Sequence, residues 1–153
     1  MNMHRRSFLA MSASLVAVAT TAALWPLRAL AEWVRPQAAF EAKALDAVYA
    51  SLGGTPEDSD QITFMSPEIA ENGAVVPVSV SSKIAGTDQI AILVEMNPNP
   101  LAALFLIPEG TEPGVSTRVK VAQTCRLQAL VHADGKWYRS SRETKVTLGG
   151  CGG

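Results

Sequence analysis

The chain has 153 residues, with 13 basic and 14 acidic side chains, a formal charge of −1 and a charged fraction of 18%. This suits one ordinary domain and provides no basic field for neutralising phosphates, so nucleic-acid binding is disfavoured. Only His4 and His132 could supply imidazoles, and His4 lies in a targeting segment, so a His-rich metal site or a Ser-His-Asp triad cannot readily be assembled. The chain is poor in catalytic parts.

Residues 1–31 read as an export signal. A basic start, His4-Arg5-Arg6, precedes an apolar stretch from Phe8 to about Leu24, and Ala29-Leu30-Ala31 places small residues where a signal peptidase requires them, with cleavage after Ala31. Arg5-Arg6-Ser7-Phe8-Leu9 fits the twin-arginine pathway, which carries folded passengers to the periplasm, and Arg28 near the cleavage point fits it too. His4 and Ala10 depart from the common form of that signal. The apolar stretch is near the short limit for a membrane span, so a removable signal is favoured over an anchor. Cleavage leaves 122 residues with all 14 acids and ten of the bases, hence a mature charge of −4.

The mature chain changes character once. From Pro36 to Leu52, Phe40, Ala44, Leu45, Val48, Tyr49 and Leu52 recur at helical spacing before Gly53-Gly54, which predicts one amphipathic helix within residues 32–54. Residues 55–148 are short β-branched runs divided by turn residues. Strands are predicted at Gln61 to Met65, Ala74 to Ser81, Gln89 to Met96, Leu101 to Ile107, Arg118 to Ala133 with a bend midway, and about Thr144 to Leu148. Val76, Val78 and Val80 share one face of the second, and Pro77 assigns it to an edge or a bulge. Ile90, Ile92, Val94 and Met96 point inward on the third, and the Leu101 to Ile107 run implies cover on both faces, part of it available to a partner. Met65 and Met96 are read as core, with Phe40, Phe105 and Trp137 supplementing it. Asp134-Gly135 signals a two-residue type I′ hairpin. The expected fold is mainly β, an immunoglobulin-like antiparallel β-sandwich preceded by one N-terminal amphipathic helix.

The chemistry is concentrated in Gly149-Gly150-Cys151-Gly152-Gly153. Four glycines around one thiol leave no side chains to pack, so residues 149–153 read as a flexible arm, and four steps from Thr147 to Cys151 span roughly 13 Å at ~3.3 Å per residue. No His or Arg adjoins Cys151, and at an ordinary pKa of ~8.5 only about 3% is thiolate at pH 7. The thiol reads as a handle that other active sites activate. The blander readings are a frayed tail, or a disulfide between Cys151 and Cys125. Cys125 falls on the Val119, Val121, Leu127 face of its strand, where an inert core thiol is favoured.

The pentapeptide after a Lys-Val-Thr strand, the segment Pro67-Glu68-Ile69-Ala70-Glu71-Asn72-Gly73-Ala74 leading into an alternating Val strand, and the twin-arginine signal together resemble the SoxY family. Its members are sulfur-carrier subunits of the periplasmic thiosulfate-oxidising Sox system. The resemblance spans essentially the mature chain; Cys125 is an addition that the family's function does not need. It implies covalent substrate attachment at Cys151, reach supplied by Gly149, Gly150, Gly152 and Gly153, no cofactor and no metal on this chain, and no catalysis by it. It further implies a SoxZ-like small sandwich subunit in a heterodimer, a haem-containing SoxAX-type enzyme, a SoxB-type hydrolase and, in some systems, a SoxCD-type sulfur dehydrogenase.

Three other classes compete. A carrier using a terminal Gly-Gly thiocarboxylate would be cytoplasmic, against the export signal. A non-catalytic periplasmic binding sandwich would make the tail incidental. A small thiol enzyme would have to use His132, which sits on a strand pattern. Arg139, Arg142 and Lys145 could meet an anionic substrate or an acidic partner, although a solvated strand edge is the favoured reading.

Overall fold

A computed structural model of the chain describes residues 34–148. The signal with Arg5, Arg6 and Ala31, and the arm with Gly149, Gly150, Cys151, Gly152 and Gly153, lie outside the described residues. The described chain runs through two helices, α1 (Gln37–Glu41) and α2 (Leu45–Leu52), and nine strands: β1 (Glu57–Asp58), β2 (Ile62–Met65), β3 (Ile69–Asn72), β4 (Val76–Ser82), β5 (Thr87–Val94), β6 (Leu101–Leu106), β7 (Gly114–Val119), β8 (Cys125–Ala133) and β9 (Lys136–Leu148).

Two sheets face each other. One has the order β1-β9-β8-β5-β6, with β3 also paired to β9, and the other has the order β2-β4-β7. Leaving aside the short β1 and β3, this is the immunoglobulin-like partition of seven strands, and all their pairings are antiparallel. Both short strands run parallel to β9 and were not predicted. The alternation of β4 places Val76, Val78 and Val80 in the inter-sheet core with Ile62 and Phe64 of β2, against Ile90, Ile92 and Val94 of β5 and Leu127, Ala129 and Val131 of β8. A second core lies on the outer face of the larger sheet, where Ala91, Leu93, Leu130 and Trp137 pack against Ala39, Val48 and Tyr49 of the helices. The middle strands β5 and β8 are therefore apolar on both faces. Gln128, only 3% exposed there, accepts from the Tyr49 hydroxyl and donates to Glu95 at 2.8 Å, so the buried amide is satisfied.

The single helix expected from Pro36 to Leu52 is two. Ala42 (φ −58°, ψ 141°) and Ala44 (φ −138°, ψ 151°) are extended, and the Asn99 side chain donates to the Phe40 and Ala42 carbonyls at 2.9 and 3.5 Å. Lys43 donates back to Asn99 Oδ1 at 3.1 Å. A distant loop thus takes the carbonyls that a continuous helix would use, and the break lets Ala39 and Val48 both reach the sheet. Gly53, at φ 106°, ends α2 in the left-handed conformation, and the Gly54 N–H bonds Tyr49 O at 2.9 Å.

Several strand expectations are corrected. Pro77 does not make β4 an edge: β4 is the middle strand of its sheet, and Pro77 faces Arg118 on one side while β2 has already ended at Met65 opposite Ser79 on the other. The Arg118 to Ala133 run is two strands in different sheets, β7 and β8, joined by a crossover at 120–124. The final strand starts at Lys136, not near Thr144, and pairs with β8 through a hairpin whose Asp134 (φ 50°) and Gly135 (φ 77°) form the expected type I′ turn. Met65 and Met96 are 60% and 53% exposed rather than core, Met96 because β5 ends at Val94 and the chain turns away there. The Leu101 to Ile107 run is not covered on both faces: β6 is an edge strand, buried at Leu101 but exposed at Leu106. Trp137 is buried, and Phe40 and Phe105 are half-buried against the two cores, as expected.

Candidate functional site, the pole where the last strand ends

The β8–β9 ladder finishes at Cys125 opposite Thr144, yet β9 continues to Leu148. Its last residues change partner and pair with β3, Lys145 facing Ile69, Val146 facing Ala70 and Leu148 facing Asn72. The Lys145 N–H bonds Glu68 O at 2.8 Å, the Val146 N–H bonds Thr124 Oγ1 at 2.9 Å, and the Thr147 hydroxyl donates to Glu71 O at 3.2 Å. Beneath them Thr144 is fully buried and its hydroxyl donates to Pro67 O at 2.9 Å. These bonds fasten residues 144–148 to the strand before Asn72 and to the crossover after β7. Residues 67–74, noticed in the sequence only as a resembling segment, are that clamp. Their role was illegible locally because Ile69-Ala70-Glu71-Asn72 has no period-2 alternation and its burial pattern is confined to Ala70.

Neighbouring loops are tied into the same pole. The Asn72 side chain accepts from the Ala74 N–H at 2.9 Å, closing the β3–β4 turn, and the Val121 N–H bonds Gly73 O at 2.7 Å. Asn97 donates to Lys120 O at 2.7 Å and accepts from the Ala122 N–H at 3.0 Å. The turn, the crossover and the β5–β6 loop are consequently one hydrogen-bonded unit around the end of β9.

The described thiol is poorly suited to chemistry. Cys125 is free and 7% exposed, and burial pushes its thiol up, with Glu95 adding to the effect against backbone hydrogen bonds from Met96 and Glu95. His132 lies at the other end of β8, roughly 23 Å away at ~3.3 Å per residue, where it bonds Asp88 and packs against Trp137 with the rings tilted and their centroids 4.9 Å apart. The two residues therefore form no catalytic pair.

Of the four basic residues of β9, Arg139 and Arg142 are committed to structure. Arg139 makes a two-point bond to Asp58 at 2.7 and 3.1 Å, which holds that carboxyl below its usual range and pushes the guanidinium up. Arg142 donates to Phe64 O at 2.7 Å, tying β9 to the opposite sheet. Lys145 remains exposed beside a shallow groove of about 320 Å³ lined also by Glu68, Ile69, Arg142 and Glu143, whose two acids balance its bases.

The described residues thus form a small sandwich frame with its last strand clamped into one pole and its described thiol buried in the core. The comparisons give that frame its family. The family model described as "Sulfur oxidation protein SoxY" matches residues 48–151. The solved structure of the sulfur carrier protein SoxY from Chlorobium limicola f thiosulfatophilum is 43% identical, with a TM-score of 0.60, over 67% of this chain and 94% of that one. This chain belongs to the SoxY family, sulfur carriers of sulfur oxidation. An endo-beta-1,4-mannanase from Thermotoga petrophila (14% identity, TM-score 0.43, over 59% of this chain and 20% of that one) is too dissimilar to bear on fold or function. Among curated proteins none matches.

Proposed function

We propose that the protein carries thiosulfate-derived sulfur covalently on Cys151 while separate enzymes act on it. The observation that carries this reading is that the family match runs to residue 151, through the Gly-Gly-Cys stretch directly beyond the clamped end of β9. Burial of Cys125 supports it, since a thiol held largely protonated in a core is a poor site for loading.

In the first step the Cys151 thiol and the outer sulfur of thiosulfate form a sulfur–sulfur bond. One proton and two electrons leave, the electrons passing to a haem-containing SoxAX-type partner, and the product is a cysteine S-thiosulfonate. A SoxB-type hydrolase adds water across the bond to the sulfone sulfur, releasing sulfate and a proton and leaving a persulfide. Where a SoxCD-type dehydrogenase operates, three waters supply the oxygens as six electrons and seven protons leave the outer sulfur. A second hydrolysis then releases sulfate and restores the thiol. No step requires a catalytic group on this chain, whose part is to hold the sulfur and deliver it.

The arm glycines Gly149, Gly150, Gly152 and Gly153 give the cysteine a profile narrow enough for enzyme channels. Arg5-Arg6 and cleavage after Ala31 direct the folded protein to the periplasm, in a heterodimer with a SoxZ-like subunit that travels on this chain's signal. Cys151→Ser in the full chain, assayed for thiosulfate-dependent sulfate release with its partners, is expected to abolish turnover while fold and subunit binding persist. Retained turnover would overturn the carrier reading in favour of a binding sandwich with an incidental tail.

A further inference from the structure

We propose that the outer edge of β7 (Gly114–Val119) pairs with a second copy of this chain, the two β7 strands running antiparallel about a two-fold axis at Ser116. The proposal does not depend on the carrier reading.

Of the edges presented by the seven longer strands, all but that of β7 are covered or interrupted. β9 is flanked by β1 and β3, β6 is broken by a register shift opposite Ile92 and Leu93, and β2 receives the Arg142 guanidinium on Phe64 O at 2.7 Å. β7 ends its sheet, and its register with β4 is continuous from Val119 opposite Val76 to Gly114 opposite Ser81. The Ser82 N–H bonds Pro113 O at 2.9 Å, so the two-residue alternation turns the backbone of 115, 117 and 119 toward β4 and that of Gly114, Ser116 and Arg118 outward. An exposed row of this kind is a template for another strand unless something blocks it.

The charges along the edge decide which strand fits. Glu112 precedes β7, Lys120 follows it and Arg118 lies between; all three are exposed, and none forms an ion pair among the described residues. An in-register parallel copy would set Arg118 against Arg118 and Lys120 against Lys120, which repel. Antiparallel pairing centred on Ser116 instead brings Glu112 level with Lys120 of the second copy, and the two-fold axis repeats the match. It also brings Arg118 level with Gly114 of the second copy, whose missing side chain leaves the guanidinium a diagonal path to Glu112. On the opposite face Val115 meets Thr117, both half-buried. The N–H groups of Ser116 and Arg118 then bond the Ser116 and Gly114 carbonyls of the second copy, each chain contributing both donors and both acceptors. The Gly114 N–H is already bound to Glu112 O at 2.9 Å. β7 runs toward the crossover at 120–124, which Thr124 ties to Val146 near the end of β9, so antiparallel pairing sends the two β9 ends to opposite ends of the assembly. The copies are thereby joined without bringing those ends together.

Sedimentation velocity over a range of concentrations tests the edge on the full chain, alone and with its small subunit, in reducing buffer that prevents cysteine-linked pairs. A reversible dimer is expected for the chain alone and a pair of heterodimers with the subunit, both loosening as salt is raised. Glu112→Lys should weaken self-association roughly tenfold, Lys120→Glu likewise, and the two changes together should restore it, because the pairs re-form with their signs exchanged. Ser116→Pro removes the central donor without touching the β4 ladder, and should leave a monomer whose thermal midpoint at dilution is little changed. A chain that stays monomeric at every concentration, or a dimer indifferent to both the charge exchange and Ser116→Pro, overturns the proposal. Loss of small-subunit binding in Ser116→Pro would assign the edge to that subunit and overturn it equally.

Discussion

Cys125 and Cys151 differ because of what surrounds them. Cys125 opens β8 opposite the fully buried Thr144, and burial keeps its thiol protonated well above neutral pH. Cys125→Ser is expected to leave sulfate formation unchanged and to cost about 1–2 kcal/mol of stability, because a hydroxyl is placed where a weakly polar thiol sat. Equal turnover and a modestly lowered thermal midpoint are the readouts; loss of turnover in a folded variant would assign Cys125 a role. Asp58 has a simple pH signature. Arg139 lowers its folded-state pKa, so the pair's contribution is complete above the unfolded value and is lost as pH falls through the lower folded value. Asp58→Asn should therefore lower stability near neutrality by the pair's contribution and flatten the acid side of the curve, so that melts of variant and parent converge as pH falls from 5 to 2.

Among the elements, the parallel clamp of β3 holds β9 as far as Leu148, opposite Asn72. Thr124 is its most informative residue, because its hydroxyl satisfies the Val146 N–H after β9 has left β8. Thr124→Val removes that acceptor and is expected to cost about 1 kcal/mol. Amide exchange should quicken at 145–148 with little change in β5 and β8, and uniform exchange across the sandwich would contradict a local clamp. The helices give a second case. Their apolar spacing was legible from Phe40 to Leu52, but the break at 42–44 was not, since it depends on Asn99 arriving from a loop 57 residues further along the chain than Ala42. A similar limit applied to β7 and β8: their apolar text is nearly continuous, and only the crossover held by Asn97 sends the two halves into different sheets.

At the scale of the molecule, two cores share the β5 and β8 strands, one between the sheets and one beneath the helices. Leu93 is fully buried in the second, and Leu93→Ala should cost about 2–5 kcal/mol, loosening the helices from the sheet. Denaturant melts followed at Trp137, whose indole N–H bonds Leu52 O at 2.9 Å, would report that loosening directly. The glycines at 149, 150, 152 and 153 carry no side chain that a core could bury. A bulky residue at Gly150 or Gly152 is therefore expected to leave the melting midpoint unchanged while lowering sulfate release, and unaltered turnover would argue against entry into narrow channels.

Read from residue order, the chain already carried its class, its strand alternation, the type I′ turn at Asp134-Gly135 and the inward placement of Cys125, because each is encoded within a few neighbouring residues. Its resemblance to the SoxY family was likewise a matter of local text. The tertiary structure alone decided that Pro77 sits on a middle strand beyond its neighbour's end, that Met65 and Met96 face solvent, and that residues 67–74 grip the last strand. Those outcomes depend on which distant backbone groups meet, and hydrogen bonds between segments some 75 residues apart, as between Thr147 and Glu71, leave no periodic trace in either segment.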